Sequence, residues 1–101
     1  VEGGAVPAVV PIITANITAT AGDLLAVDSA VGPITVTAPS SPGTGAYFRV
    51  ADIGGNASTN SITIDFGSNS FSGVAGDDFI HDINNESFGF IYTGTTWRVS
   101  K

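Results

Sequence analysis

The sequence predicts an all-β fold: a single small antiparallel β-sandwich or barrel-like domain with an extended N-terminal arm. Three observations lead there. Apolar residues recur with period two, in runs of about five residues, which suits strands packed on one face. Clusters of Gly, Pro, Asn and Ser break these runs at intervals of roughly 8 to 12 residues, the spacing of turns in sandwiches and barrels. The polar share is neutral, with 11 Thr, 10 Ser and 6 Asn beside 13 Gly, while only 12% of the 101 residues are charged. That balance fits a pleated surface rather than a disordered chain.

Residues 1–11 form the arm, and residues 12–101 are read as one domain. Pro7 and Pro11 block a helix in the arm and bias Val6 and Val10 towards extended geometry. An apolar arm of this kind pairs along its own domain or lies on a neighbour, with Val6, Val9, Val10 and Ile12 as its candidate contacts. Beyond it, Ile13, Ala15, Ile17 and Ala19 alternate with Thr14, Asn16, Thr18 and Thr20 as a half-buried strand. Ala21-Gly22-Asp23 turns into the short run Leu24 to Val27, and Ser29 to Pro33 turns again. Ile34 to Ala38 is a strand of branched residues, followed by a Pro- and Gly-containing loop from Pro39 to Gly45. Tyr47 to Val50 is the next strand, and Asp52 to Asn60 reads as a polar loop. Ile62, Ile64 and Phe66 alternate with Thr63 and Asp65 before the turn Gly67-Ser68-Asn69.

The last third repeats the pattern. Phe79 to Ile83 is a weaker strand, turned back at Asn84-Asn85. Ser87 to Thr93 places Phe88, Phe90 and Tyr92 on one face, and Gly89 between aromatics marks a bulge or a close backbone approach rather than a ligand site. Gly94-Thr95 turns into Thr96 to Ser100, where Trp97 and Val99 alternate with Arg98. The expected core is Ile34, Val36, Phe48, Val50, Ile62, Ile64, Phe88, Phe90, Tyr92, Trp97 and Val99.

Several function classes fall to composition. A net charge of −6 opposes binding to phosphate backbones, so no nucleic-acid partner is expected. The apolar stretch Ala5 to Ile13 is too short to span a bilayer and is broken by proline, so no membrane insertion is expected. Without cysteine and with one histidine the usual disulfide and zinc frameworks are excluded. No metal or cofactor is expected.

The candidate sites each have a plainer reading. His81 beside Asp82, with Asp77 and Asp78 near, could serve acid–base chemistry. No nucleophile or second carboxylate is marked to converge on it, so a surface strand position is the favoured reading and no catalytic residue is assigned. Asp77, Asp78 and Asp82 could attract Ca²⁺, but Asp78 and Asp82 would lie about 13 Å apart along a strand. A solvated acidic edge accounts for them. Gly54-Gly55-Asn56 lacks the helix and third glycine of a phosphate loop, so its glycines are read as enabling positive φ. Tyr47, Tyr92 and Trp97 could form a sugar platform, but they fall at alternating strand positions, so core packing is the favoured use. Arg98 faces outward by period and could pair with an acid or cross an interface.

One resemblance covers most of the chain. Gly22-Asp23, Ile34-Thr35-Val36-Thr37-Ala38-Pro39 and Phe48-Arg49-Val50-Ala51-Asp52 follow one another in order. Thr59-Asn60-Ser61-Ile62-Thr63-Ile64, Asn85-Glu86-Ser87 and the closing Phe90 to Val99 complete the series over residues 21–99. Together they resemble a small β-module that recurs in structural proteins of tailed bacteriophages, in tail fibres and related virion proteins. The resemblance implies a non-enzymatic virion component, a homotrimer meeting other virion proteins on an extracellular particle assembled in the host cytoplasm. A tail-fibre or tail-associated place is the first expectation and a capsid decoration or cement protein the second. A carbohydrate module that binds a host surface glycan is the rival from another class.

Overall fold

The computed structural model describes residues 10–101. Among them eleven strands form two sheets. They are β1 (Ile12–Ile13), β2 (Ile17–Thr18), β3 (Leu24–Val27), β4 (Ile34–Thr37), β5 (Tyr47–Asp52) and β6 (Ile62–Asp65), then β7 (Ser70–Phe71), β8 (Val74–Ala75), β9 (Asp78–His81), β10 (Ser87–Tyr92) and β11 (Trp97–Val99). A 3-10 turn at Ser29–Val31 is the only helical element among the described residues. The first sheet has the order β1-β3-β5-β10-β11-β7-β8, and the second β2-β4-β6-β9. The all-β expectation holds, and a small sandwich describes the two layers.

Pairing directions depart from the antiparallel expectation. β1, β3 and β5 run parallel in the first sheet, and β2, β4 and β6 run parallel in the second. The chain alternates between sheets through its first six strands, so each strand lies beside the one laid down a full winding earlier. A parallel neighbour needs a crossover, and here a strand of the opposite sheet supplies it. Antiparallel pairing begins only in the second half, where β9 covers β6 and β10 covers β5. β10 then pairs with β11, and β7 with β8.

The single strand expected over residues 13–19 is instead two short ones. Ile13 is buried under the first sheet, and Ile17 lies beside Val36 in the second, so the chain must cross the core thickness between them. Asn16 sits in that crossing, and its side-chain oxygen accepts from the Thr35 N–H at 2.8 Å. A second addition is the hairpin β7–β8, which follows the turn Gly67-Ser68-Asn69 where alternation marks no strand. Of the arm contacts, Val6 and Val9 lie outside the described residues, Val10 is half-buried, and Ile12 is exposed in β1.

The core is largely aromatic. Phe48 stacks on Phe90 at 5.2 Å and meets the edge of Trp97 at 5.3 Å. Phe66 stacks on Phe71 at 4.8 Å, and Phe79 bridges Phe88 and Phe90. Such pairs contribute about 0.5–1.5 kcal/mol each beyond their buried area. Of the expected core, Tyr92 is only half-buried and Val99 is exposed. β11 pairs with β7 only at Trp97–Phe71, so no strand of β7 runs on beside Val99. Leu25, Val27, Phe66 and Phe71 belong to the core as well.

Candidate functional site

Period two gives each sheet an outer face, and the register sets which side chains share it. On the first sheet one row runs Ile12, Ala26, Ala51, Ser87. The next runs Leu24, Arg49, Gly89 and reaches Ser100, whose N–H donates to the Gly89 carbonyl at 2.8 Å. The third runs Tyr47, Ile91, Arg98. Neighbours within a row are about 4.8 Å apart and successive rows about 6.7 Å. No position of these rows is acidic, although the chain carries a net charge of −6.

Arg49 organises the centre of this face. Its Nε donates to the Tyr47 hydroxyl at 3.0 Å, and its Nη1 donates to the Ser87 hydroxyl at 2.9 Å. Gly89 provides the floor. A methyl group there would lie 2.7 Å from Ser100 Oγ, 3.0 Å from the Tyr47 hydroxyl and 3.1 Å from Arg49 Nη2. The expected bulge is absent, because Gly89 stays in register with Arg49. The close approach is made by side chains lying across it rather than by backbone.

The sequence candidates separate on this geometry. Tyr47 and Arg98 lie on the outer face, with Tyr47 37% exposed. Trp97 is fully buried against Phe48 and Phe66, and Tyr92 packs beside it at 5.4 Å with its ring partly covered. The three aromatics therefore do not form one platform. Arg49 and Ser87 were not singled out in the sequence, although their parity with Tyr47 and Gly89 places them outward.

His81 is not a surface residue. It is fully buried, with its ring against the Phe88 ring at 4.8 Å. Pairing of β9 with β6 sets Ile62 opposite His81 and Thr63 opposite Ile80, which turns the imidazole inward and Ile80 outward. The imidazole Nε2 lies 2.8 Å from the Glu86 carbonyl, and since a carbonyl only accepts, that nitrogen carries the proton. Nδ1 is buried without a hydrogen-bond partner among the described residues.

A second polar centre closes one end of the sandwich. Asp52 ends β5 facing inward, buried rather than solvated in the polar loop expected over Asp52 to Asn60. One carboxylate oxygen accepts from Ser29 Oγ and the Gly55 N–H, the other from the N–H groups of Ala57 and Asn85. Burial alone would raise this carboxyl, but the bonds from Ser29, Asn85, Ala57 and Gly55 outweigh it and hold it below the usual aspartate value. Three loops are thereby tied to one side chain. Gly54 fits the same end for lack of space: a methyl group there would stand 2.5 Å from the Ser29 nitrogen and 2.6 Å from that of Ala30. Gly55 has φ 75°, as its loop role requires, whereas Gly54 is needed for close approach.

The acidic edge lies across the second sheet. Asp65 and Asp78 are direct cross-strand partners, and burial together with the charges of Asp65 and Asp77 raises the Asp78 carboxyl. Among the described residues no group of three His, Cys, Asp or Glu side chains is placed to hold a metal. No helix among them is long and apolar enough to cross a membrane. Compared with known proteins, the chain matches no family model and no curated protein.

Proposed function

We propose that this chain is a non-enzymatic structural module of a bacteriophage virion, a tail-fibre or tail-associated β-domain that assembles as a homotrimer. The observation that carries the reading is where the phage-like segments fall in the fold. Ile34 to Pro39 supplies β4, Phe48 to Asp52 supplies most of β5, and Thr59 to Ile64 leads into β6. Phe90 to Val99 supplies the end of β10, its turn and β11. These are the central strands of both sheets, so the resemblance follows the folding unit rather than a scatter of surface residues. The buried imidazole of His81 also favours a role without acid–base chemistry.

The composition suits the role. A thiol-free, lysine-poor surface needs no redox protection outside the cell, and few charges lower the desolvation cost of symmetric contacts. The module would be built in the host cytoplasm and carried on the particle, meeting other virion proteins through its arm.

Light scattering after size exclusion tests this. A mass three times the 10.2 kDa of the chain is expected for the fibre-type module. A monomer that sediments with purified capsids, and only with residues 1–11 present, would replace it with the capsid decoration reading. A glycan-binding reading is favoured by one separate observation, the exposed Tyr47 ring beside the Arg49 fork.

A further inference from the structure

We infer that the outer face of the first sheet binds a carboxylate-bearing glycan, with Arg49 as the anchor for the acid group. This rests on the glycan-binding reading and gives it a ligand class; the trimer reading stands or falls separately. Two of the three cationic residues of an acidic chain, Arg49 and Arg98, project from one face whose rows hold no carboxylate. Asp23 flanks the face beside Leu24, and one oxygen of its carboxylate accepts from the Thr20 N–H at 2.8 Å. The complementary ligand is therefore an anion.

The detail of Arg49 narrows the anion to a carboxylate on a hydroxylated body. Tyr47 and Ser87 take two of the five guanidinium N–H donors and fix the fork against the sheet. Among the described residues, one hydrogen on Nη1 and both on Nη2, over the floor of Gly89, have no partner, which leaves the Nη1–Nη2 end of the fork open. A planar fork held in this way is preorganised for a carboxylate, which it meets with two parallel hydrogen bonds. The Tyr47 hydroxyl accepts from Arg49 and keeps its own proton to donate. Ser100 Oγ stands over Gly89 and adds another group able to donate or accept. Ring and aliphatic surface from Tyr47 and Ile91, each 37% exposed, offer an apolar bed for a sugar face. Gly89 acquires a purpose on this reading, since any side chain there would lift the fork from its seat.

The test is a titration of the full chain, followed through its backbone amide NMR signals, with sialyllactose as the acidic probe and lactose as its neutral counterpart. Shifts at Tyr47, Arg49, Ser87 and Ile91 are expected, with dissociation constants of order 1 mM and at least about tenfold weaker binding of lactose. Arg49→Lys, which keeps the charge and loses the fork, should weaken sialyllactose by about tenfold or more. Gly89→Ala should do the same while the amide spectrum stays that of a folded β-domain. Equal response to lactose, or binding indifferent to both variants, would overturn the acid-specific inference and leave glycan binding in place. No response on this face to either sugar would overturn both. Equal shifts from a hexaglutamate peptide would assign the face to an acidic protein partner and also overturn the inference.

Discussion

Asp52 shows how a charged side chain can be structural in a chain with few charges. Its four hydrogen bonds come from the turn at Ser29, the loop at Gly55 and Ala57, and the turn at Asn85. Asp52→Asn would point an amide donor at N–H donors on at least one side, so a loss of about 1–3 kcal/mol is expected in urea unfolding. The pH dependence follows from the direction of the shift. The folded carboxyl titrates below its unfolded value, so its contribution is complete above about pH 5 and fades as the pH falls through the folded value. The Asp52→Asn protein should therefore lose less stability than the wild type between about pH 5 and 2; equal losses would contradict the assignment. Gly54→Ala should cost about 1–3 kcal/mol, because the added methyl meets backbone nitrogens that cannot rotate away. Thermal unfolding of the variant checks it. Asp52 and His81 were legible by period, since each shares parity with inward neighbours, Val50 and Phe79. Residue type argued the opposite, and strand pairing decided.

At the scale of elements, strand positions were readable and strand directions were not. β4, β5, β6 and β10 fall where alternation places them, because apolar residues at every second position mark a strand whatever its partner, and β3 falls on the short apolar run Leu24 to Val27. The same alternation serves parallel and antiparallel neighbours, so the winding between sheets left no mark in the period. Short turns such as Ala21-Gly22-Asp23 resemble hairpin turns, yet this one delivers the chain from the second sheet to the first. The β7–β8 hairpin was hidden by its turn residues. Ser72 and Gly73 have φ 50° and 84°, the positive pair of a type I′ turn, without the Asn-Gly or Asp-Gly that announces one. Of the candidate surface, Arg98 is outward by its period, whereas Tyr47, expected to pack in the core, is turned outward by the register that buries Phe48 and Val50, and Arg49 emerges only once that register sets it beside Gly89. The facing carboxylates of Asp65 and Asp78 make a prediction of their own. Asp78→Asn should stabilise the protein by about 0.5 kcal/mol near neutral pH, since like charges directly opposite are unfavourable. The gain should shrink as the pH falls through the raised Asp78 value, where protonation already relieves the repulsion.

Across the whole molecule, the two sheets divide the surface. Both arginines project from the first, while the second presents Thr18, Thr35, Thr37 and Thr63 with Asp65, Asp78 and Ile80. Among the described residues the buried cluster extends from Ile13 to Trp97. If the β-domain is a self-assembling virion module, its threefold contacts belong to residues 12–101, and the arm adds links to neighbours. The absolute mass in solution of a chain lacking residues 1–11 tests that claim most directly. A trimer that persists on dilution through the micromolar range is expected. A monomer would contradict it and place assembly in the arm and its partners.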